Sequence, residues 1–200
     1  MKLHNSLHKQ LLRKVSQTKH SKIRCSWVNL ENPLYVAYHD REWCEPVHDD
    51  KILFEFLVLE SAQAGLSWET ILNRREGYRT AFCNFDPKRV AKLTHGKIKK
   101  LLLNPSIIRH RVKIESTVTN AQLFLQIQKE YGSFDAYIWN WVSYKPLTRK
   151  QHAQGLKIAE SISKDLKKRG IKFFGPTICF AYMQAVGMIN DHSPQCFKAC

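Results

Sequence analysis

The sequence lacks any apolar run that approaches the roughly 18 residues a membrane-spanning helix requires. Negative charge is also scarce: 17 Asp and Glu stand against 32 Lys and Arg, and the 200-residue chain has a formal net charge of +15. This surplus favours a polyanionic partner, either nucleic acid or an anionic membrane surface. Because no spanning segment accompanies the charge, we expect nucleic acid as the partner and no membrane.

Cysteine is too sparse for a disulfide-stabilised secreted domain, since the chain has six in 200 residues and no signal-peptide pattern. We therefore expect a reduced, intracellular protein of the cytoplasm that acts as a monomer. The length suits one large domain or two small ones, and it is sufficient for a hydrophobic core.

Sustained alternation of apolar and polar residues is absent, as are internal repeats and low-complexity tracts, so the sequence gives no β-sheet signal. Capping residues, prolines at first helical positions and apolar spacing indicate helices instead. Helices are predicted from Ile52 to a break at Gly65, and over 87–93, 94–103, 107–128, 134–142 and 176–187, with a tight turn at 104–106. The predicted fold is all-α.

Two pairs of metal-ligand residues lie near opposite ends of the chain. Cys25 and His39 have thirteen residues between them, and His192 and Cys196 have three. Two Cys and two His form a tetrahedral zinc set, and the second pair predicts both side chains on one side of a helical turn. Such a structural zinc would join the N- and C-terminal segments. The alternatives are free thiols with surface histidines, or Cys200 as the ligand in place of Cys196.

Residues 1–24 form a basic N-terminal arm, with seven Lys and Arg and no acidic residue. Spaced leucines predict a weak amphipathic helix there. We favour a passive, flexible arm; contacts with DNA phosphates or a membrane surface, and a mitochondrial-type presequence, are the alternatives. Residues 25–200 are then the domain proper.

Glu60 occupies the apolar face of the helix predicted before the Gly65 break. A buried carboxylate is costly unless it is paired, so Glu60 either reaches a basic partner or solvent, or lies in a pocket that recognises a polar or cationic ligand. Trp68 follows the break and would face the same pocket. Tyr35 and Tyr38 share a helical turn with a zinc ligand, and Trp27 is two residues from another. Aromatic stripes of this kind are more often core, but a zinc beside them would fix the rings.

These residues form part of a longer pattern that resembles the 3-methyladenine DNA glycosylase I family. The stretches occur in the family's order and span residues 24–196. They are 24–27 (RCSW), 33–40 (PLYVAYHD), 42–43 (EW), 59–60 (LE), 63–68 (QAGLSW), 107–111 (IIRHR), 113–114 (KI), 167–170 (KKRG), 172–173 (KF), 175–178 (GPTI), 183–185 (MQA), Gly187 and 190–192 (NDH).

The resemblance implies a helix-hairpin-helix repair fold that excises 3-methyladenine from double-stranded DNA by hydrolysing the N-glycosidic bond. It also implies a structural zinc on Cys25, His39, His192 and Cys196. The family's remaining site residues map onto the catalytic carboxylate Glu60, the base-pocket residues Tyr38, Trp68, Tyr35 and Trp27, the duplex-entering loop at Gly65 and Leu66, and the hairpin residues Ser106 and Arg109.

Two positions depart from the family's pattern. Ser61 replaces the Gly that follows the pocket carboxylate, and Ser106, preceded by Pro105, replaces a hairpin Gly. Ser61 would crowd a helix contact beside the pocket, and Pro105 has no N–H to offer a phosphate. We expect these departures to weaken DNA affinity more than they alter the substrate.

The expected chemistry follows from the charge of the damaged base. Alkylation at N3 makes adenine cationic and weakens its glycosidic bond, so the leaving group needs no protonation. Aromatic faces attract a cationic ring by about 0.5–2 kcal/mol per contact, and Glu60 would accept hydrogen bonds from its donor edge. No counterpart of the catalytic Asp of other helix-hairpin-helix glycosylases stands out, and no lyase lysine does. The alternatives are a glycosylase for another alkylated base and a non-catalytic, zinc-stapled DNA-binding protein of the same fold.

Overall fold

α-Helices form most of the chain that the structure describes. The structure is a computed structural model, and it describes residues 22–199. The predicted basic arm at residues 1–24 lies almost wholly outside this range, as does Cys200, the alternative metal ligand. Within residues 22–199, no helix is long and apolar enough to cross a bilayer.

Ten α-helices and two short strands follow one another within the described range. The helices are α1 (Pro33–Arg41), α2 (Asp50–Gln63), α3 (Trp68–Leu72), α4 (Arg75–Ala81), α5 (Pro87–Val90), α6 (His95–Leu101), α7 (Arg111–Tyr131), α8 (Phe134–Asn140), α9 (His152–Arg169) and α10 (Pro176–Ala185). The strands β1 (Leu147–Thr148) and β2 (Ile189–Asn190) pair in parallel. The prediction of a mostly helical fold is confirmed, and strands of two residues are too short to give an alternation signal.

The predicted capping residues begin their helices. The Asp49 carboxylate accepts hydrogen bonds from the backbone N–H groups of Lys51 and Ile52 at the start of α2. Asp86 caps α5 in the same way, with Pro87 at the first helical position. Each cap satisfies N–H groups that the helix itself leaves unpaired and contributes about 1 kcal/mol.

Three predicted helical segments were wrong in part. The helix predicted over 87–93 ends at Val90, and the one predicted from Ile107 begins at Arg111. The second begins late because the His110 ring caps α7 by accepting from the N–H of Lys113. Residues 192–196 are an irregular turn rather than a helical one. Its closing hydrogen bond runs from the Cys196 N–H to the carbonyl of Ser193, 2.8 Å away.

Helix α2 runs through the centre of the fold. Its residues from Leu53 to Ala62 are all buried, and the helix packs against α3, α7, α8 and α10. A helix that is apolar on nearly every side belongs in a core. Two carboxylates are carried inside with it, Glu55 and Glu60, which are 5% and 2% exposed. The interior therefore has to accommodate two acidic groups.

The turn between α6 and α7 is fastened to α4 at two adjacent residues. The Tyr78 hydroxyl accepts a hydrogen bond from the N–H of Ile108, at 3.2 Å. At Gly77 the backbone passes so close to the turn that an added Cβ would lie 2.3 Å from the carbonyl oxygen of Ser106. Only a residue without a side chain allows this approach.

We predict that Gly77→Ala destabilises the protein by about 1–3 kcal/mol, because the new methyl group overlaps the backbone of the turn. Gly96→Ala is the matched control: Gly96 is also helical, is exposed, and a Cβ there would meet only the Thr94 hydroxyl at 4.0 Å. Alanine at Gly96 should raise stability by up to about 1 kcal/mol. Urea unfolding measures both changes, and effects of the same sign would contradict the close approach.

Candidate functional site

The four predicted metal ligands converge at one buried point. Cys25 precedes α1, His39 lies in α1, and His192 and Cys196 follow β2, so the two ends of the described range, 22–199, meet there. Their ligand atoms all lie within 4.8 Å of one another. The Cys196 Sγ is 3.4 Å from both His39 Nε2 and His192 Nδ1, and the Cys25 Sγ is 3.5 Å from His192 Nδ1.

These separations suit a tetrahedral zinc ion. Zn–S bonds of about 2.3 Å and Zn–N bonds of about 2.0–2.1 Å at tetrahedral angles put sulfur and nitrogen about 3.5 Å apart. Burial lowers the pKa of His39 and lowers that of His192 to about 4. Both rings are therefore neutral at pH 7, which is the form that binds a metal. The donor set fits zinc in both chemistry and spacing.

Groups around the four ligands orient them. The Asp40 carboxylate lies 2.9 Å from His39 Nδ1, which leaves Nε2 directed at the cluster. Arg24 binds the same carboxylate through two nitrogens, and its hydrogen bond is the main reason that the pKa of Asp40 falls to about 2. The N–H of Ser193 donates to the Cys25 Sγ, 3.3 Å away. Such contacts are typical of ligands fixed from outside a metal centre.

A cavity of about 370 Å³ adjoins the cluster, and Cys25 belongs to both. The five residues predicted for the base pocket all line it: Trp27, Tyr35, Tyr38, Glu60 and Trp68. The rings stand at angles to one another rather than stacked. Tyr38 and Trp68 have centroids 5.1 Å apart, and Trp27 and Tyr35 have centroids 5.3 Å apart. One part of the cavity wall is therefore aromatic.

Glu60 is the acidic group in this wall that lacks a counter-charge. Its Oε2 atom is buried and has no hydrogen-bond partner among residues 22–199, and burial raises the pKa of its carboxyl group to about 8. Glu55, one turn earlier, is bound by Arg75 and Arg79 at 2.7 and 2.9 Å. Trp68 Nε1 also lacks a partner within the described range. The cavity thus presents an acceptor and a donor to whatever enters it.

The loop after α2 contains the predicted duplex-entering residues. Gly65 has φ +78°, a left-handed conformation that favours glycine, and Leu66 beside it is 39% exposed. The Lys113 ammonium group donates to the carbonyls of Ala62 and Ala64 at 2.8 and 2.6 Å. Helix α7 therefore holds the end of α2 and the start of this loop.

Ser106 and Arg109, the residues predicted for a DNA-binding hairpin, are exposed and do not line the cavity. The Ser106 N–H donates to the Asn104 side chain at 2.9 Å, so this amide is already engaged. Ser61, the other departure from the family's pattern, is buried on α2, and its hydroxyl has no partner within residues 22–199.

Several cavity residues were missed by the sequence reasoning. Arg149, Gln184 and Asp191 form one hydrogen-bonded group at the wall, in which Asp191 accepts from the other two. Gln184 and Asp191 lie in matched motifs, which could have flagged them. Arg149 lies outside those motifs and had no such signal. The other polar and aromatic lining residues that were missed are Ser26, Trp43, Gln63 and Ser193.

Comparisons with known proteins identify the family of this chain. The methyladenine glycosylase family model matches residues 27–199. DNA-3-methyladenine glycosylase 1 of Escherichia coli (strain K12) is 43% identical over 178 residues, which cover 86% of this chain and 95% of that protein.

Solved structures match over the same region. A crystal structure of 3-methyladenine DNA glycosylase I has a TM-score of 0.83 and 42% identity, covering 89% of this chain and 100% of that one. The 3-methyladenine DNA glycosylase I from Staphylococcus aureus has a TM-score of 0.81 and 38% identity, covering 88% and 96%. The chain belongs to the methyladenine glycosylase family.

Proposed function

We propose that this protein is a monofunctional DNA glycosylase that excises 3-methyladenine from double-stranded DNA as the first step of base excision repair. One observation carries the proposal: an aromatic cavity contains a buried carboxylate, Glu60, with no counter-charge among the described residues. A protein that only binds DNA would have no use for this costly arrangement. A pocket that binds a cationic base requires it, because the carboxylate stabilises the positive charge.

The cavity suits an alkylated adenine that has left the duplex stack. A flipped base can lie between aromatic side chains, and Tyr38 and Trp68 offer faces on the wall that Glu60 shares. A cationic ring gains about 0.5–2 kcal/mol from each favourable aromatic contact. The Glu60 carboxylate gains most from a cation, because a nearby positive charge favours its ionised form. Neutral adenine forfeits both contributions, which provides discrimination.

Cleavage of the glycosidic bond needs no general acid, because the alkylated base leaves without being protonated. Glu60 stabilises positive charge and accepts hydrogen bonds from the base. Asp191 is the other carboxylate at the wall, but both its oxygens already accept hydrogen bonds from neighbouring side chains. No lysine lines the cavity within the described range. That agrees with hydrolysis rather than a lyase reaction through a Schiff base.

The duplex would be held outside the cavity. We assign the helix-hairpin-helix to α6, the turn over 102–110 and α7, with Arg109 as an exposed cation of the turn. Leu66, on the loop after α2, would fill the space that the flipped nucleotide leaves. Residues 1–24 would add phosphate contacts or remain a passive arm. We expect an intracellular monomer.

The metal proposed for Cys25, His39, His192 and Cys196 is a structural zinc ion. When bound, it supplies cross-linking and no chemistry, since all four ligand positions come from the protein. It would hold the segment before α1 against the segment after β2. Because α1 also supplies Tyr38, the ion would keep that ring in the pocket wall.

The proposal is tested by incubating the protein with methylated duplex DNA and identifying the released bases by chromatography. Release of 3-methyladenine supports the function. Folded protein that binds the duplex but releases no base would favour the non-catalytic alternative. Preferential release of a different alkylated base would favour the alternative of a glycosylase with another substrate.

We predict that Glu60→Gln lowers excision of 3-methyladenine by about ten- to a hundredfold. A hydrogen bond to a charged group contributes about 1.5–3 kcal/mol, and each 1.4 kcal/mol is a factor of ten in rate. Binding to undamaged duplex should change little, because phosphates dominate it. Glu76→Gln is the control, since the Glu76 side chain is 82% exposed and lies outside the cavity lining. Wild-type excision by Glu60→Gln would contradict the role of the carboxylate.

A pH dependence should follow from the raised pKa of Glu60. Below about pH 8 the free protein keeps this group mostly protonated, so kcat/KM should rise with pH through about pH 8 and level off above it. The unfolded chain ionises Glu60 near its ordinary pKa of 4.5. Wild-type stability relative to Glu60→Gln should therefore fall as the pH rises from 4.5 to 8. Parallel pH profiles for the two proteins, in kcat/KM and in urea unfolding, would refute this.

The zinc proposal predicts about one zinc per chain by elemental analysis of freshly purified protein. Cys196→Ala should lose the metal and lower the Tm by about 10 °C or more, since several kcal/mol of binding free energy vanish. Cys83→Ser should retain the metal, because Cys83 lies outside the cluster. Full zinc content in Cys196→Ala would point to another ligand, and Cys200 is the one to replace next.

A further inference from the structure

Arg149 lies on the cavity wall but outside the sequence motifs that mark the family. It begins the short helical turn Arg149–Gln151, directly after β1. Its side chain is 48% exposed, whereas Glu60 in the same wall is 2% exposed. The difference places Arg149 at the mouth of the cavity and Glu60 at its buried end.

The guanidinium group is held firmly along one edge. Its Nη1 atom donates to the backbone carbonyl of Asp191 at 2.7 Å and to the Asp191 carboxylate at 3.1 Å. Asp191 is itself 7% exposed and is fixed by Gln184 at 2.8 Å and by His152 at 3.2 Å. No hydrogen bond within residues 22–199 uses Nε or Nη2 of Arg149. An oriented guanidinium with unused N–H groups matches the geometry of a phosphate oxygen pair.

A cation at this cavity cannot serve the alkylated base directly, because that base is itself cationic. The anion that accompanies the base is its phosphate. A flipped nucleotide enters base first, since its phosphates remain joined to the duplex strand. The base then reaches the Glu60 end while the phosphate stays at the mouth, where Arg149 is exposed.

We infer that Arg149 binds a phosphate of the flipped nucleotide and is a further substrate-positioning residue, with Asp191 holding its orientation. The inference rests on the proposed function, because it requires a nucleotide to enter the cavity. The contact forms only after flipping, so it should favour damaged DNA over undamaged DNA.

The test compares two duplexes of one sequence, one undamaged and one with a central tetrahydrofuran abasic-site analogue. Arg149→Gln should weaken binding to the abasic duplex about three- to tenfold and reduce its salt slope by about one unit. Binding to the undamaged duplex should change less than twofold. Lys150→Gln is the matched control, since Lys150 is the exposed neighbouring cation and does not line the cavity. Lys150→Gln should change the affinity for both duplexes by the same factor.

Equal losses on both duplexes, or no loss on the abasic one, would overturn the inference. Arg149→Lys covers the case in which the glutamine variant fails to fold. It keeps the charge and should keep the wild-type salt slope on the abasic duplex, and a slope lower by one unit would also overturn the inference. Abasic-duplex binding needs no catalysis. If wild-type protein failed to release 3-methyladenine, the proposed function would be contradicted, and the binding data would still test Arg149 independently.

Discussion

The burial of an unpaired carboxylate in the central helix is the constraint on which this structure depends. Helix α2 is apolar on nearly all sides and must be enclosed, which takes Glu55 and Glu60 into the interior. Two arginines, Arg75 and Arg79, bind Glu55 and neutralise its charge, as is usual for a buried carboxylate. Glu60 has no basic partner among residues 22–199, and burial raises the pKa of its carboxyl group to about 8. Stability given up at one position in this way is typical of groups held ready for a ligand.

The cluster of two Cys and two His side chains and the cavity share one wall. Cys25 belongs to both, and Tyr38 and His39 are consecutive on α1, one facing each. A short helix of nine residues has little stability of its own. Its position depends on the cap that Asn32 supplies at one end and on the buried cluster at the other. The aromatic wall is therefore held in place by a cluster of residues that are far apart in sequence.

The sequence was sufficient to predict features that depend on residue type and local spacing. Glu60 could be placed on an apolar face by helical periodicity, and the four ligands could be grouped because only a few residue types bind zinc. Arg149 could not be found in this way. Asp191, which fixes it, lies 42 residues further along and is brought near by the β1–β2 pairing. The start of α7 was misjudged because the His110 ring caps the helix one residue before it begins, and because Tyr78 binds the Ile108 amide, a tertiary contact that overrides local preference.

The two elements proposed to meet DNA are joined inside the protein by Lys113. Its ammonium group leaves water to bind carbonyls at the end of α2, and burial lowers its pKa. Its backbone N–H is bound by His110, the last residue of the hairpin. One residue thus connects the hairpin to the loop that carries Leu66 and to the helix that carries Glu60. A duplex bound at the proposed hairpin would consequently lie in a fixed position relative to the cavity, so that DNA binding and base recognition would need no separate alignment.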